Sequence, residues 1–413
     1  MSGNMMAGPI AEGSPSAVQT FLSQLERLPG GRKVRECIQC GMCTGSCPHG
    51  YAMEYGPRRM IAAIRAGRFE DLFKTDSLWL CVSCYNCTYR CPSGVPITDR
   101  LIHSLREQLL VRGVGVPKEL QAAFERSARY GNPFGESPKK RDAWIKETGS
   151  NVRLLKKGES ADVLWFVECF PSYHRRNIKD TAALAKVLNA LGVDFGVMGA
   201  DEWCAGDIPC TNVGEGGLFE MLYQHNTEEL AEREFNEILV GDPHAYNALT
   251  KEYTRLGSSY NVAHYTQFLE RREPDLSKLM KKQLKLKVTY HDSCCLGRRN
   301  DVYDPPRAVL EAIPGVRLVE MPRNKENALC CGGGGGAVWL DSFIWLRTRV
   351  PLPMQRVQEA AKTGADVLAV SCPLEVSRFE DAVKTSGLEG RLEVRDVADL
   401  VAESMGLTGG RRA

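Results

Sequence analysis

Cys37-Ile-Gln-Cys40-Gly-Met-Cys43-Thr-Gly-Ser-Cys47-Pro48 and Cys81-Val-Ser-Cys84-Tyr-Asn-Cys87-Thr-Tyr-Arg-Cys91-Pro92 are two copies of one pattern, C-x2-C-x2-C-x3-C-P. Two-residue spacers let three sulfurs converge on one centre, and soft thiolates at that spacing suit 4Fe-4S clusters. In two-cluster ferredoxin-type modules the fourth cysteine of each run serves the other run's cluster. The expected ligand sets are therefore Cys37, Cys40, Cys43 and Cys91 for one cubane cluster, and Cys81, Cys84, Cys87 and Cys47 for the other. Structural zinc also takes C-x2-C pairs, but two complete four-cysteine runs weigh against it.

The segments around these runs carry helical periodicity. Val18, Phe21, Leu22, Leu25 and Leu28 share one face over residues 17–28, and Gly30-Gly31 supplies a left-handed stop. Pro57 suits the first position of a helix over 57–66, and Leu101, Ile102, Leu105 and Leu109 mark another that ends near Gly113. Residues 1–112 are thus expected to form a helical module. Residues 113–160 turn polar and rich in Gly, Pro and Lys, which predicts a linker or wrapping arm with one helix near 117–129.

Beyond residue 160 short apolar runs alternate with helical patterns: Val163 to Val167, Phe195 to Met198, Ile238 to Val240, Val288 to Tyr290, Leu318 to Val319 and Val367 to Val370. Such alternation predicts α/β layers with parallel strands. The region also repeats itself, with halves at 161–275 and 276–413. Cys169 follows a strand, Trp203-Cys204-Ala205-Gly206 comes 35 residues later, and Gly241-Asp242-Pro243-His244-Ala245 follows the next strand. In the second half Cys294, then Cys330-Cys331-Gly332 36 residues later, then Ser371-Cys372-Pro373-Leu374-Glu375 take the same places. Ala205 stands where the second half has Cys331, and Asp242 where it has Cys372. The expected fold class is α+β multidomain: a helical two-cluster ferredoxin domain followed by a duplicated α/β domain.

Cys294, Cys330, Cys331 and Cys372 fall at strand ends or in the loops after them, the edge where open α/β sheets gather ligands. Adjacent cysteines strain to serve one cube, so the pair predicts a cluster of unusual shape or a two-metal bridge. The run Gly332 to Gly336 fits close approach of backbone to such a cluster. A phosphate-binding loop is the competing reading, but no Gly-Lys-Ser/Thr follows. The first half keeps Cys169 and Cys204, with Cys210 nearby and His244 as a candidate fourth ligand. A degenerate site kept for packing is favoured there over a zinc site of the Cys3His kind. His291 and Asp292 are candidates for a proton donor beside the second-half cysteines. Arg298-Arg299 would attract an anion, or simply be solvated surface charge.

With 53 basic and 51 acidic residues, nothing in the charge balance argues for nucleic acid or an anionic membrane as partner. Sixteen cysteines at metal-ligand spacings in a 413-residue chain favour a reducing compartment over a disulfide framework. Met1 to Ser16 lacks a basic and then apolar leader, and no window approaches the length of a membrane helix. The expectation is a cytoplasmic protein, peripheral at the inner face of a membrane if a partner anchors it there.

The stretch from Cys37 to Pro48, with Leu78-Trp79-Leu80-Cys81 through Cys91-Pro92, resembles the C subunit of heterodisulfide reductases. Tyr290-His291-Asp292-Ser293-Cys294-Cys295-Leu296-Gly297-Arg298, with Ala328-Leu329-Cys330-Cys331-Gly332, looks like the CCG domain of the B subunit. Together they resemble the fused D-type subunit of heterodisulfide reductase and the related K subunit of the membrane complex linked to dissimilatory sulfite reductase. The resemblance implies a noncubane 4Fe-4S cluster that cleaves a disulfide or related sulfur bond, with Cys294, Cys330, Cys331 and Cys372 as ligands. A family member with a complete site has a further cysteine three residues after Cys372, where this chain has the harder donor Glu375.

Two functions follow as expectations. One is an oxidoreductase subunit acting on a thiol, a disulfide or a sulfur-carrier protein, with two cubanes feeding the third cluster. The other is a non-catalytic relay between a flavin dehydrogenase or electron-transfer flavoprotein and a quinone-reducing partner. Both call for redox partner subunits, a flavoprotein or a membrane haem or quinone subunit, because the chain carries no recognisable flavin, haem or nicotinamide site.

Overall fold

The computed structural model describes residues 15–408, with the side chains of residues 15–20 and 210–212 left out. The reading of Met1 to Ser16 and the place of the Cys210 thiol lie outside the described residues. The chain divides into two compact units. One comprises the residues up to Phe124 together with Asp207–Phe219 and Gly332–Leu352; the other comprises Glu125–Gly206, Glu220–Cys331 and the residues from Pro353.

The first unit is helical. Helix Pro15–Arg27 buries Phe21 and Leu25, and Phe21 stacks on Phe69 at 4.8 Å between ring centroids. Gly30 then takes φ 76°, the left-handed stop expected of it. Helix Pro57–Arg65 begins with proline at its first turn and buries Met60, Ile61 and Ile64 at helical spacing. Helix His103–Arg112 closes on Gly113 at φ 65°. The turns before it, Ile97–Ile102, have the wider π-helical winding, which often marks a functional position.

The second unit holds two all-parallel sheets. The first runs in the order β1-β3-β2-β4-β5, with β1 Arg153–Leu154, β2 Ser160–Phe166, β3 Phe195–Val197, β4 Glu234–Val240 and β5 Val262–His264. The second runs β7-β6-β8-β9, with β6 Lys287–Tyr290, β7 Arg317–Leu318, β8 Val367–Val370 and β9 Glu393–Asp396. Apart from the added edge strand β1, the second order repeats the first strand for strand. Val163 to Phe166 and Val367 to Val370 are buried on both faces, as continuous apolar runs in covered parallel sheets must be. One core joins the halves: Val163, Trp165 and Leu239 from the first sheet cluster with Val288, Tyr290, Val367 and Ala369 from the second.

All six apolar runs lie on observed strands. The short strands β1, β5 and β9 carry no apolar run long enough to announce them. The polar segment 113–160 contains the expected helix as Lys118–Tyr130, and its Trp144 is buried edge-on against Trp165 at 5.6 Å.

Asp396 caps helix Val397–Ser404, its Oδ1 accepting from the Ala398 N–H and the Tyr265 hydroxyl, each at 2.8 Å. Burial, and then the neighbouring Asp180, push its carboxyl up to about 8. The unfolded carboxyl releases its proton near 3.8, so the native state holds the extra proton between these values and stability falls as pH rises through them. Asp396→Asn keeps the cap and the hydroxyl partner without a charge to bury. Its melting temperature should therefore lose the decline that the parent shows between about pH 5 and pH 8. Parallel slopes for the two proteins would show that Asp396 is not the group responsible.

Candidate metal centres

In the first unit the cysteine runs bend alike. Gln39 and Gly41 adopt positive φ in the first run, and Ser83 and Tyr85 do so at the same offsets in the second. These left-handed kinks turn successive sulfurs to one side, and in the second run they are held by residues with side chains, a strain that persists only where the surroundings impose it. One cavity is lined by Cys37, Cys40, Cys43 and Cys91; another by Cys47, Cys81, Cys84 and Cys87. The first has the exposed Cys40 at its edge, whereas Cys81, Cys84 and Cys87 are all buried.

Several donors reach the sulfurs. Val95 N–H points at Cys91 Sγ (3.3 Å), Ser83 N–H at Cys81 Sγ (3.4 Å), and Thr98 Oγ1 lies 3.2 Å from Cys87 Sγ. Thr98 belongs to the π-wound turn, which gives that irregularity a local purpose. Burial, and then the neighbouring thiols, push Cys87 well above the usual thiol range; burial also raises Cys81, against the pull of the Arg106 charge. Arg106 is fully buried and donates to the carbonyls of Leu78 (2.6 Å), Cys81 (2.6 Å) and Gly335 (3.2 Å). Four mutually repelling sulfurs in a dry pocket are compatible as thiolates only around a cationic core, so the donor set fits an iron-sulfur cluster. Arg106 gave no sequence signal, since its role depends on burial.

In the second unit Cys294 follows β6, Cys330-Cys331 follow β7 through a loop, and Cys372 follows β8 as the N-cap of helix Pro373–Thr385. All four are buried. A hydrogen bond from Cys330, then the charges of Arg298, His244 and Arg299, bring the Cys294 thiol down to about 6 against its burial. Cys372 is pushed well up by burial and by the Glu375 and Asp242 carboxylates. His291, Cys331 and Glu375 bring one ligand atom each within 4.8 Å of one another. His291 Nδ1 accepts from Arg356 Nε at 2.9 Å, while its Nε2 stands 3.2 Å from Glu375 Oε1 without aligning as a hydrogen bond. Glu375 Oε2, fully buried, has no partner either. Orphaned polar atoms beside sulfur donors are what a site shaped around a bound group leaves behind.

Other candidates of the sequence are placed differently. Asp292 is taken up in a two-pronged pair with Arg307 (2.7 and 2.9 Å) and accepts the Lys325 N–H, so of the proposed proton donors only His291 faces the cysteines. Arg298 and Arg299 are buried, and Arg298 holds the carbonyl of Ala328 at 2.8 Å, bracing the loop that leads to Cys330. They are not solvated surface charge. His244 approaches Cys295 within 4.8 Å, and its charge bears on Cys294, so this histidine of the first half serves the surroundings of the second-half centre. Within the glycine run, Gly335 lies against the dicluster module. A Cβ there would meet the Cys81 carbonyl oxygen at 2.4 Å, and its φ of 67° excludes most side chains.

The first-half site is filled from within. Glu168, at φ 76°, accepts the N–H of Cys169 (2.7 Å) and of Ala205 (2.6 Å). Glu202 accepts the N–H of Val167 (2.9 Å) and Glu168 (2.7 Å), and Arg141 pairs with Glu202 while pointing Nη1 at Cys169 Sγ, 3.5 Å away. Glu168, Cys169 and Cys204 converge within 4.8 Å, and the Arg141 guanidinium stands 3.5 Å from the Cys169 sulfur. The residues at Ala205 and Asp242 offer no sulfur donor, as the sequence shows; the carboxylates of Glu168 and Glu202 that hold the backbone there gave no sequence signal.

Residues 163–250 and 288–374 match the family described as cysteine-rich domain, and residues 36–96 the 4Fe-4S dicluster domain. The chain is 34% identical over 340 residues to the probable iron-sulfur-binding oxidoreductase FadF of Bacillus subtilis. It is 32% identical over 341 residues to the EtfAB:quinone oxidoreductase of Syntrophomonas wolfei. Each alignment covers 81% of this chain and 47% of the relative, so the chain spans about half the length of these two proteins. The D-type subunit of the dihydromethanophenazine:CoB--CoM heterodisulfide reductase of Methanosarcina acetivorans is 32% identical over 409 residues, covering 90% of this chain and 94% of that protein. No helix among the described residues is long and apolar enough to cross a membrane.

Proposed function

This chain belongs to the family of D-type heterodisulfide reductase subunits, and on that premise we propose that it is the iron-sulfur electron-transfer subunit of a multisubunit oxidoreductase that reduces, or in reverse forms, a disulfide-type bond. The gathering of Cys294, Cys330, Cys331 and Cys372 at the strand ends of the second half carries this reading. Two cubane clusters would deliver one electron at a time, and a noncubane cluster would supply the site where a two-electron sulfur reaction is completed.

The residues assign the rest. Cys37, Cys40, Cys43 and Cys91 would hold the cluster that partners reach, since Cys40 is exposed and is flanked by the exposed Ile38 and Met42. Cys81, Cys84, Cys87 and Cys47 would hold the inner one. At the second-half centre Arg298 and Arg299 favour the Cys294 thiolate, and His291, kept neutral by burial and by Arg356, presents Nε2–H as a hydrogen-bond donor. The substrate class is a thiol, its disulfide or a sulfur-carrier protein.

A second reading is the non-catalytic relay between an electron-transfer flavoprotein and a quinone-reducing partner. Glu375 in place of a fifth cysteine and the closed first-half site favour it, as does the name of the Syntrophomonas wolfei relative, an EtfAB:quinone oxidoreductase. Iron analysis and paramagnetic resonance on anaerobically purified protein decide first whether the third cluster exists: about twelve iron atoms per chain are expected, against about eight for the cubanes alone. Titration with an oxidised thiol should then give a paramagnetic state confined to the third cluster. Twelve iron atoms and complete indifference to thiols would leave the relay.

A further inference from the structure

We infer that Glu375 closes the ligand set of the second-half centre, binding iron through a carboxylate oxygen beside Cys331, with His291 Nε2 3.2 Å from its Oε1. This rests on the reading that Cys294, Cys330, Cys331 and Cys372 hold a cluster.

The local structure gives Glu375 no other task. It is the third residue of helix Pro373–Thr385, whose N-cap is Cys372. A glutamate at that position ordinarily reaches back to the N–H of the cap residue. This one does not: Oε1 faces His291 Nε2 at 3.2 Å and Oε2 has no partner. Nor does Glu375 form an ion pair with a lysine or arginine among the described residues. A carboxylate only 1% exposed, with no ion-pair partner and incomplete hydrogen bonding, keeps its charge only where the site itself supplies positive charge. Iron supplies it.

Of the three groups that converge here, His291 is excluded as a ligand by its own hydrogen bond. Arg356 Nε can only donate, so Nδ1 of His291 is the acceptor nitrogen and the neutral ring carries its proton on Nε2. A protonated nitrogen has no lone pair for a metal. The remaining donors are Cys331 and Glu375, within 4.8 Å of each other, and Glu375 follows Cys372 by three residues, one helical turn on the same face. The centre then has one hard oxygen among soft sulfurs, its least tightly held ligand.

Full-length Glu375→Gln and Glu375→Cys proteins, purified anaerobically beside the parent, test the assignment by iron and sulfide content, resonance spectrum and midpoint potential of the third cluster. The cubane signals serve as the folding control in each sample. Glu375→Gln, nearly isosteric but a poor ligand, is expected to drop from about twelve iron atoms toward about eight, or to keep the cluster with a displaced spectrum and potential. Glu375→Cys is expected to keep about twelve with a spectrum changed by the added thiolate. A parent with twelve iron atoms and a Glu375→Gln protein identical to it in content, spectrum and potential overturns the ligand role alone. A parent with only eight overturns the cluster reading as well.

Discussion

Cys91→Ala is expected to abolish the cluster of the first run, and Cys47→Ala that of the second, each removing about four iron atoms and one of the two cubane resonance signals. By sequence proximity the opposite holds, because Cys91 closes the run that begins at Cys81. The cavities cross: Cys91 lines the one with Cys37, Cys40 and Cys43, and Cys47 lines the one with Cys81, Cys84 and Cys87. Alanine is the informative replacement, since a serine oxygen can still ligate. Cys40→Ala and Cys84→Ala supply the reference losses. If Cys91→Ala extinguishes the signal that Cys84→Ala extinguishes, each run binds its own cluster and the crossed assignment fails.

The parts of the fold that could be read from the sequence are those written in local pattern. Spacing announced the two cysteine runs, and apolar runs announced six strands. The strand order repeats between the halves, as the repeated motifs implied. What escaped reading depends on contacts between distant residues. Arg298 and Arg299 look like surface charge until both are seen to be buried, Arg298 holding the loop before Cys330. Asp292 looks like a proton donor until Arg307, fifteen residues on, takes both its oxygens. The run Gly332 to Gly336 signalled close backbone approach correctly in kind, but the neighbour met by Gly335 is the Cys81 backbone, more than two hundred residues earlier. Glu375 stood out only by replacing an expected cysteine. Its lack of a partner is a property of the packed site.

Arg141→Met is expected to destabilise the second unit by about 3–5 kcal/mol, the usual cost of breaking a buried ion pair by removing one member. Arg141 and Glu202 are only 2% and 1% exposed, and Glu202 Oε1 accepts from Arg141 Nε (3.0 Å) and Nη2 (2.6 Å). Without the guanidinium, Glu202 is an uncompensated buried charge beside Glu168. A melting point lowered on the order of 10 °C is the corresponding thermal result. Arg141→Met combined with Glu202→Gln should recover most of the loss, because the amide oxygen still accepts the N–H of Val167 and Glu168 and no charge remains unpaired. A single substitution costing under about 0.5 kcal/mol would mean that the pair is not what holds the first-half site closed. The cycle also bears on zinc. If the Arg141, Glu202 and Glu168 network has replaced a bound metal as the structural plug of the first half, the parent should carry no stoichiometric zinc and should melt at the same temperature with or without a chelator of zinc. The double variant removes the cation facing Cys169, and zinc binding by it beside a zinc-free parent would show that Arg141 is what keeps the site closed.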